Sequence, residues 1–229
     1  MNWLFWVVVC LIVYHVFDGF RRGFIRKSVS MISLVLTLAI VTWLTPKITE
    51  FISEKTPIQE NLQKKCSELF LDEDYDAEIK TDQVQMIEHM NLPENLKEMI
   101  LENNHKEAYD FLEVTGFYDY VGAYLASLII HALAYLLTFI VVWTAIRIVL
   151  LALDIVTMLP VLHGINKLAG GFLGAAEGIV LVWIAFLLVT IFCNGDAGRE
   201  FFRLISENPF LLYLYNSNVI MKTVFGLIF

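Results

Sequence analysis

One acidic residue, Glu177, lies inside a long apolar stretch between Gly174 and Gly178. A carboxylate at the centre of a membrane-spanning helix costs about 2.5–3.5 kcal/mol, so it should face protein or water or carry a proton. Two interpretations follow for this residue. It is either a proton or ion site, or a structural group that bonds to Arg147, Lys167 or a backbone atom of a neighbouring helix.

Three further charged residues border apolar stretches, namely Asp18, Arg147 and Asp154. Arg147 and Asp154 are seven positions apart, so they share one face of a helix. We expect them to form a charge network with Asp18 at the inner membrane surface. His131 and Tyr135 are also on one helix face. A packing or hydrogen-bonding role is expected for His131, because a proton relay needs several ionisable groups in series.

Enzyme signatures are absent from the sequence, which contains no G-x-S-x-G, no H-E-x-x-H and no phosphate-binding glycine loop. Asp72, Asp74 and Asp76 are spaced like the start of a calcium loop, but the expected glycine and later glutamate are missing. We therefore expect no catalytic residue, no metal site and no cofactor. A disulfide between Cys66 and Cys193 is allowed, and two unrelated thiols are the alternative.

Hydrophobic residues make up 58% of the 229 residues and are concentrated in blocks, which is typical of a membrane protein. The net charge of −8 is uneven. Residues 45–120 contain eighteen acidic residues against seven lysines, a balance of −11. An acidic extramembrane segment argues against nucleic-acid binding, which needs a basic face.

The apolar blocks predict an all-α polytopic membrane protein with four transmembrane helices in two hairpins and an external helical cap. The spans are expected near residues 3–17, 28–44, 124–147 and 168–192, and Thr45-Pro46 is expected to end the second. Residues 148–162 would lie along the inner surface or re-enter it. The predicted units are hairpin 1 (1–44), the cap (45–120), hairpin 2 (121–192) and an amphipathic tail (193–229).

A cluster of cations between the first two spans predicts the orientation in the membrane. Lys and Arg in short loops beside spans are retained on the cytoplasmic side. The N-terminus and residues 45–120 are therefore expected outside, and a cleaved signal peptide is disfavoured because its cations would precede the apolar run. The cluster consists of Arg21, Arg22, Arg26 and Lys27.

Two stripes of small residues predict close helix packing in the membrane. The second span carries Ser30, Ser33 and Thr37 on one face. The fourth span carries Gly170, Gly174 and Gly178 at every fourth position. The glycine stripe packs either against the second span or against another protomer, and the sequence leaves both open.

Two stretches together resemble the colicin V production protein family (CvpA). One is the first apolar run leading into Asp18-Gly19-Phe20-Arg21-Arg22-Gly23-Phe24, and the other runs from Leu159-Pro160 through Asn166-Lys167-Leu168-Ala169-Gly170-Gly171 to Glu177-Gly178. The resemblance covers all four predicted spans but not residues 45–120. It implies a bacterial inner-membrane protein linked to export of a peptide toxin, envelope stress tolerance and surface growth.

Three functional hypotheses follow from the residues and the resemblance. The leading one is a non-enzymatic scaffold or accessory factor for export and envelope homeostasis, whose partners are the lipid bilayer and a membrane protein or a second copy of the chain. The alternative is a small transporter or channel that uses Glu177 with Arg147 or Asp154. A third is a receptor whose cap binds an extracellular ligand.

Overall fold

The computed structural model describes residues 2–55, 57–70, 80–90, 92, 94–152, 165–191 and 196–226. Every regular element within these ranges is a helix. The helices are α1 (Trp3–Lys55), α2 (Ile58–Phe70), α3 (Lys80–His89), α4 (Glu94–Glu102), α5 (Lys106–Leu112), α6 (Phe117–Ala152), α7 (Ile165–Ile191), α8 (Asp196–Ser206), α9 (Pro209–Asn216) and α10 (Val219–Phe225).

Three helices, α1, α6 and α7, are long and apolar enough to cross a membrane. The first of them is bent at Gly23, whose φ of 78° and ψ of 168° are not helical. The bend divides α1 into residues 3–22 and 24–55. Because Asp18 and Lys27 come into contact across it, the two segments form a hairpin. The predicted all-α membrane fold is confirmed.

The two segments of α1 contact different helices of the second half of the chain. The first segment runs antiparallel to α7, because Gly19 lies against Gly170 while Ile12 lies against Gly178. The second segment contacts α6, whose Arg147 reaches Ser30 near the bend. Hairpin 1 therefore packs against both α6 and α7.

The second segment of α1 continues through Pro46 to Lys55, so the prediction that Thr45-Pro46 ends this helix was wrong. Proline removes only one backbone hydrogen bond from the helix. The fully buried Thr45 donates its hydroxyl to the carbonyl of Val41 at 2.7 Å, which ties this turn together. Helix α6 likewise continues beyond Arg147 to Ala152.

The helices α2, α4 and α5 of the cap contact the N-terminal part of α6. The ring of Tyr120 stacks on Tyr109 with centroids 4.7 Å apart, and its hydroxyl donates to the carbonyl of Ile100 at 2.9 Å. Tyr118 donates to the carbonyl of Ser67 at 3.2 Å. These contacts attach the cap to a helix that itself enters the membrane domain.

The tail consists of three short helices, α8 to α10, that return to α7. Asn208 accepts hydrogen bonds from the first turn of α9, which begins at Pro209, as the predicted interruption at this dipeptide implies. Asn218 caps α10 and also donates to the carbonyl of Trp183 at 2.9 Å. On the exposed face of α8, the hydrogen-bonded Arg203 guanidinium holds the pKa of the Glu200 carboxyl below its usual range.

Candidate functional site: a buried charge cluster

Glu177 is buried near the middle of α7, with 5% of its surface exposed. One carboxylate oxygen, Oε2, contacts the ammonium of Lys27 directly. The other, Oε1, accepts a hydrogen bond of 3.0 Å from the Ser30 hydroxyl. Both partners lie on the second segment of α1, so Glu177 joins the two predicted hairpins.

Lys27 occupies the centre of the cluster and is 2% exposed. Its Nζ lies 3.2 Å from Oδ2 of Asp18 in addition to its contact with Glu177. Asp18 also accepts a 2.8 Å hydrogen bond from Arg22 on the same helical segment. A single buried ammonium thus bridges two carboxylates on two different helical segments.

Arg147 approaches the same carboxylate from α6. Its Nη2 lies 3.7 Å from Oε1 of Glu177 and donates a 3.0 Å hydrogen bond to Ser30. The Ser30 hydroxyl therefore accepts from the guanidinium and donates to the carboxylate. The Arg147 side chain remains 34% exposed, so it links the buried group to the surface of the bundle.

The groups described so far, Asp18, Lys27, Ser30, Arg147 and Glu177, constitute the charge cluster. It contains two acidic and two basic side chains. Burying an isolated charge costs far more than burying one that is paired and hydrogen-bonded. Glu177 can therefore be buried inside an apolar helix bundle, because the positive charges of Lys27 and Arg147 lie beside its carboxylate.

His15 lies beside the cluster and was not singled out by the sequence. Its Nδ1 is 3.9 Å from Oε2 of Glu177, a distance that gives an ion pair only when the ring is protonated. The carbonyl of the same residue faces Gly174. An imidazole, two carboxylates and an ammonium within one small volume could exchange a proton.

The glycine stripe brings the first segment of α1 and α7 close enough for these contacts. A Cβ at Gly174 would collide with the backbone carbonyl of His15, and one at Gly170 would collide with that of Gly19. Gly178 lies against the backbone of Ile12. The stripe therefore packs inside the chain, against the first predicted span. It was expected against the second span or another protomer.

The hydroxyl stripe of the second segment is buried as its position suggested, but only Ser30 bonds across helices. Ser33 donates to the carbonyl of Ser30 and Thr37 donates to that of Ser33, both at 2.7 Å within their own helix. Ser33 and Thr37 contribute to the interface through their small side chains, which let a neighbouring helix approach closely. A hydroxyl group that bonds to a carbonyl of its own helix needs no hydrogen-bond partner on another helix.

The four cations at the bend differ in environment. Arg21 and Arg22 are exposed, Arg26 is half-buried and Lys27 is buried in the cluster. Exposed arginines beside the bend suit their predicted role as orientation markers, which remains a prediction. Lys27 in addition has an internal partner that the sequence did not reveal.

Several predicted sites lie outside the described residues. Asp154, Cys193 and the aspartates at 72, 74 and 76 are among them. Arg147 pairs with Glu177, whereas Lys167, the other cation considered, makes no ion pair with it in the described structure. Among the residues that the structure describes, no three His, Cys, Asp or Glu side chains are grouped so as to hold a metal ion.

Comparison with known proteins gives one family match. Residues 111–211 match the family model described as colicin V production protein. This segment includes all of α6 and α7, and hence Arg147 and Glu177 of the cluster. No curated protein and no solved structure matches the chain.

Proposed function

We propose that this chain, whose residues 111–211 match the model of the colicin V production protein family, is a non-enzymatic membrane scaffold or accessory factor. It assists export of a toxin or peptide and maintenance of the cell envelope. It lies in the bacterial cytoplasmic membrane, with the N-terminus and the cap outside. The family is not known as enzymatic, which agrees with a role exerted through binding.

The observation that carries the proposal is that the buried charge of Glu177 is neutralised by groups of the same chain. The carboxylate is held by Lys27, Ser30 and Arg147 of the same chain. A carboxylate that carries ions must release one partner for each ion it accepts. One held by three groups instead fastens helices to one another, and a firmly fastened bundle is what a scaffold requires.

The cap supplies a surface on which a partner can dock. Glu88, Glu94 and Glu98 are exposed on α3 and α4, in a segment that carries a large excess of acidic residues. Charge on a docking surface steers association and selects an oppositely charged partner. The proposed partner is therefore a membrane protein with a basic extracytoplasmic region, or a second copy with a basic surface.

Crosslinking in cells followed by purification in detergent tests this proposal. We expect a reproducible partner or a self-associated species. The yield of that species should fall when Glu94→Lys and Glu98→Lys are combined. Glu200→Lys, also exposed but on α8, is the matched control and should leave the yield unchanged. The absence of any reproducible partner or self-association would refute the scaffold role.

A small transporter or channel is the second candidate, and the exposure of Arg147 favours it. The guanidinium connects buried Glu177 with the surface, which is where an ion path would begin. Flux into proteoliposomes separates the two functions. Transport requires flux that Glu177→Gln abolishes, whereas a scaffold gives the same background flux in both proteins.

A further inference from the structure

A second polar region lies where the cap meets the membrane helices. A half-open cavity of about 730 Å³ is lined there by the end of α1 together with α2, α5 and α6. Thr49 and His131 line it, whereas Ser30 and Arg147 of the same two helices lie in the charge cluster. The cavity is therefore at the other end of the bundle. Its volume falls within the roughly 300–1,000 Å³ of small-molecule sites.

The charge of this cavity is negative. Glu50, Glu60 and Glu113 line it from three different parts of the chain. Among the described residues that line the cavity there is no lysine and no arginine. A concave site lined by one sign of charge concentrates ligands of the opposite sign.

Two buried polar groups lie at the cavity wall. Thr49 is 6% exposed, and its hydroxyl oxygen has no hydrogen-bond partner. His131 is 8% exposed, and its Nδ1 lies 2.8 Å from the carbonyl of Ser127. Because a carbonyl only accepts, Nδ1 carries the proton and Nε2 of the neutral ring is an acceptor. Buried polar atoms are nearly always satisfied, so an orphaned hydroxyl in a cavity points to a missing partner.

The spacing of the acidic groups selects the kind of cation. No three acidic or histidine side chains in the described structure are close enough to share a metal ion. Apolar side chains also line the cavity, namely those of Phe111, Leu112 and Ile130. The wall therefore combines negative charges with hydrocarbon surface, a combination that a compact inorganic ion cannot match.

We propose that this cavity binds an aliphatic polyamine, a chain of methylene groups carrying several ammonium groups. The ammonium groups pair with Glu50, Glu60 and Glu113. Further N–H donors bond to the Thr49 hydroxyl and to Nε2 of His131. The methylene groups pack on the apolar wall. The site binds its ligand whether or not the chain assists export.

Isothermal titration of the full chain in nanodiscs of zwitterionic lipid, with spermine as the probe, tests the site. We expect spermine to bind saturably. Butylamine or Mg²⁺, added at the same concentration of positive charge, should not displace it. The double variant Glu60→Gln/Glu113→Gln should bind spermine at least about 10-fold more weakly, since two charge-assisted contacts are lost. Glu88→Gln/Glu200→Gln removes the same charge elsewhere and should keep the affinity within about twofold.

Thr49→Val separates a ligand contact from a structural role. Valine replaces an orphaned hydroxyl with a methyl group, so the thermal stability of the free protein should be unchanged or higher. Spermine affinity should fall by about 5-fold, the effect of one neutral hydrogen bond. Equal affinity in Thr49→Val and the parent protein would overturn the assignment. So would equal affinity in the two double variants, displacement by Mg²⁺, or a lack of binding.

Discussion

Lys27 and Glu177, from opposite halves of the sequence, form a buried ion pair that joins hairpin 1 to α7. Lys27 also reaches Asp18 across the bend at Gly23, and Arg147 approaches Glu177 from α6. Together these four side chains connect the two segments of α1 with α6 and α7. The following predictions concern what depends on this connection.

Replacing Lys27 should strongly destabilise the protein. Lys27→Met leaves two carboxylates without their shared cation, and breaking one partner of a buried pair costs about 3–5 kcal/mol. Unfolding in mixed micelles by added SDS measures the loss. Lys47→Met is the control, because Lys47 is exposed and lies over the ring of Trp43. Equal midpoints for the two variants would show that the Lys27 contacts contribute nothing to stability.

Gly174 should tolerate alanine far less well than its neighbour Gly171. A Cβ at Gly174 collides with the backbone of His15, whereas one at Gly171 meets Val16 at an ordinary 3.8 Å. We expect Gly174→Ala to cost about 1–3 kcal/mol, as overpacking does, and Gly171→Ala to be nearly neutral. Thermal inactivation in detergent compares them. If Gly171→Ala proved the more damaging, the close approach of α1 and α7 would be wrong.

Gly23 should be required for the bend in α1. Its φ of 78° is strained for any L side chain, and a Cβ there would also strike the Asn166 side chain. Gly23→Ala is expected to cost about 1–3 kcal/mol or more. In Gly116→Ala the new Cβ meets only Asp119 at 3.6 Å, so that variant should behave like the parent. Melting curves that match for both variants would mean that the bend tolerates a side chain.

Labelling of single cysteines tests the orientation. The reporters Arg21→Cys, Glu94→Cys and Glu200→Cys replace exposed residues at the bend, on the cap and on the tail, in a background without the native cysteines. An impermeant maleimide added to intact spheroplasts should label the cap and tail but not the bend. Lysis should expose the bend. Labelling of the bend in intact spheroplasts would reverse the proposed topology.

The sequence predicted the apolar helices and their order because hydropathy and the cations at the bend are local signals. The helix end predicted at Pro46 was wrong for a physical reason. The helix retains its path because packing around the buried Thr45, whose hydroxyl bonds to the carbonyl of Val41, compensates for the proline. Rules that predict helix ends from the local sequence take no account of such tertiary packing.

The charge cluster could be predicted only in part. Glu177 and Arg147 were paired as one alternative because both are charges in apolar surroundings. Lys27 was missed because it adjoins three arginines and therefore looked like part of a solvated turn. One signal was available, since Asp18 and Lys27 have opposite charges and lie on either side of the predicted turn. His15 had no comparable signal.

The most direct test of the scaffold role uses a cluster that retains its shape but loses its central charges. The double variant Lys27→Met/Glu177→Gln is produced in a strain lacking the parent gene. Membrane level and detergent stability are measured together with secretion of the peptide toxin. A scaffold predicts that secretion is retained whenever the variant is present at the parent level, because the ion pair only fastens helices. A variant that is stable and abundant but does not support secretion would contradict this account and assign the charges to transport.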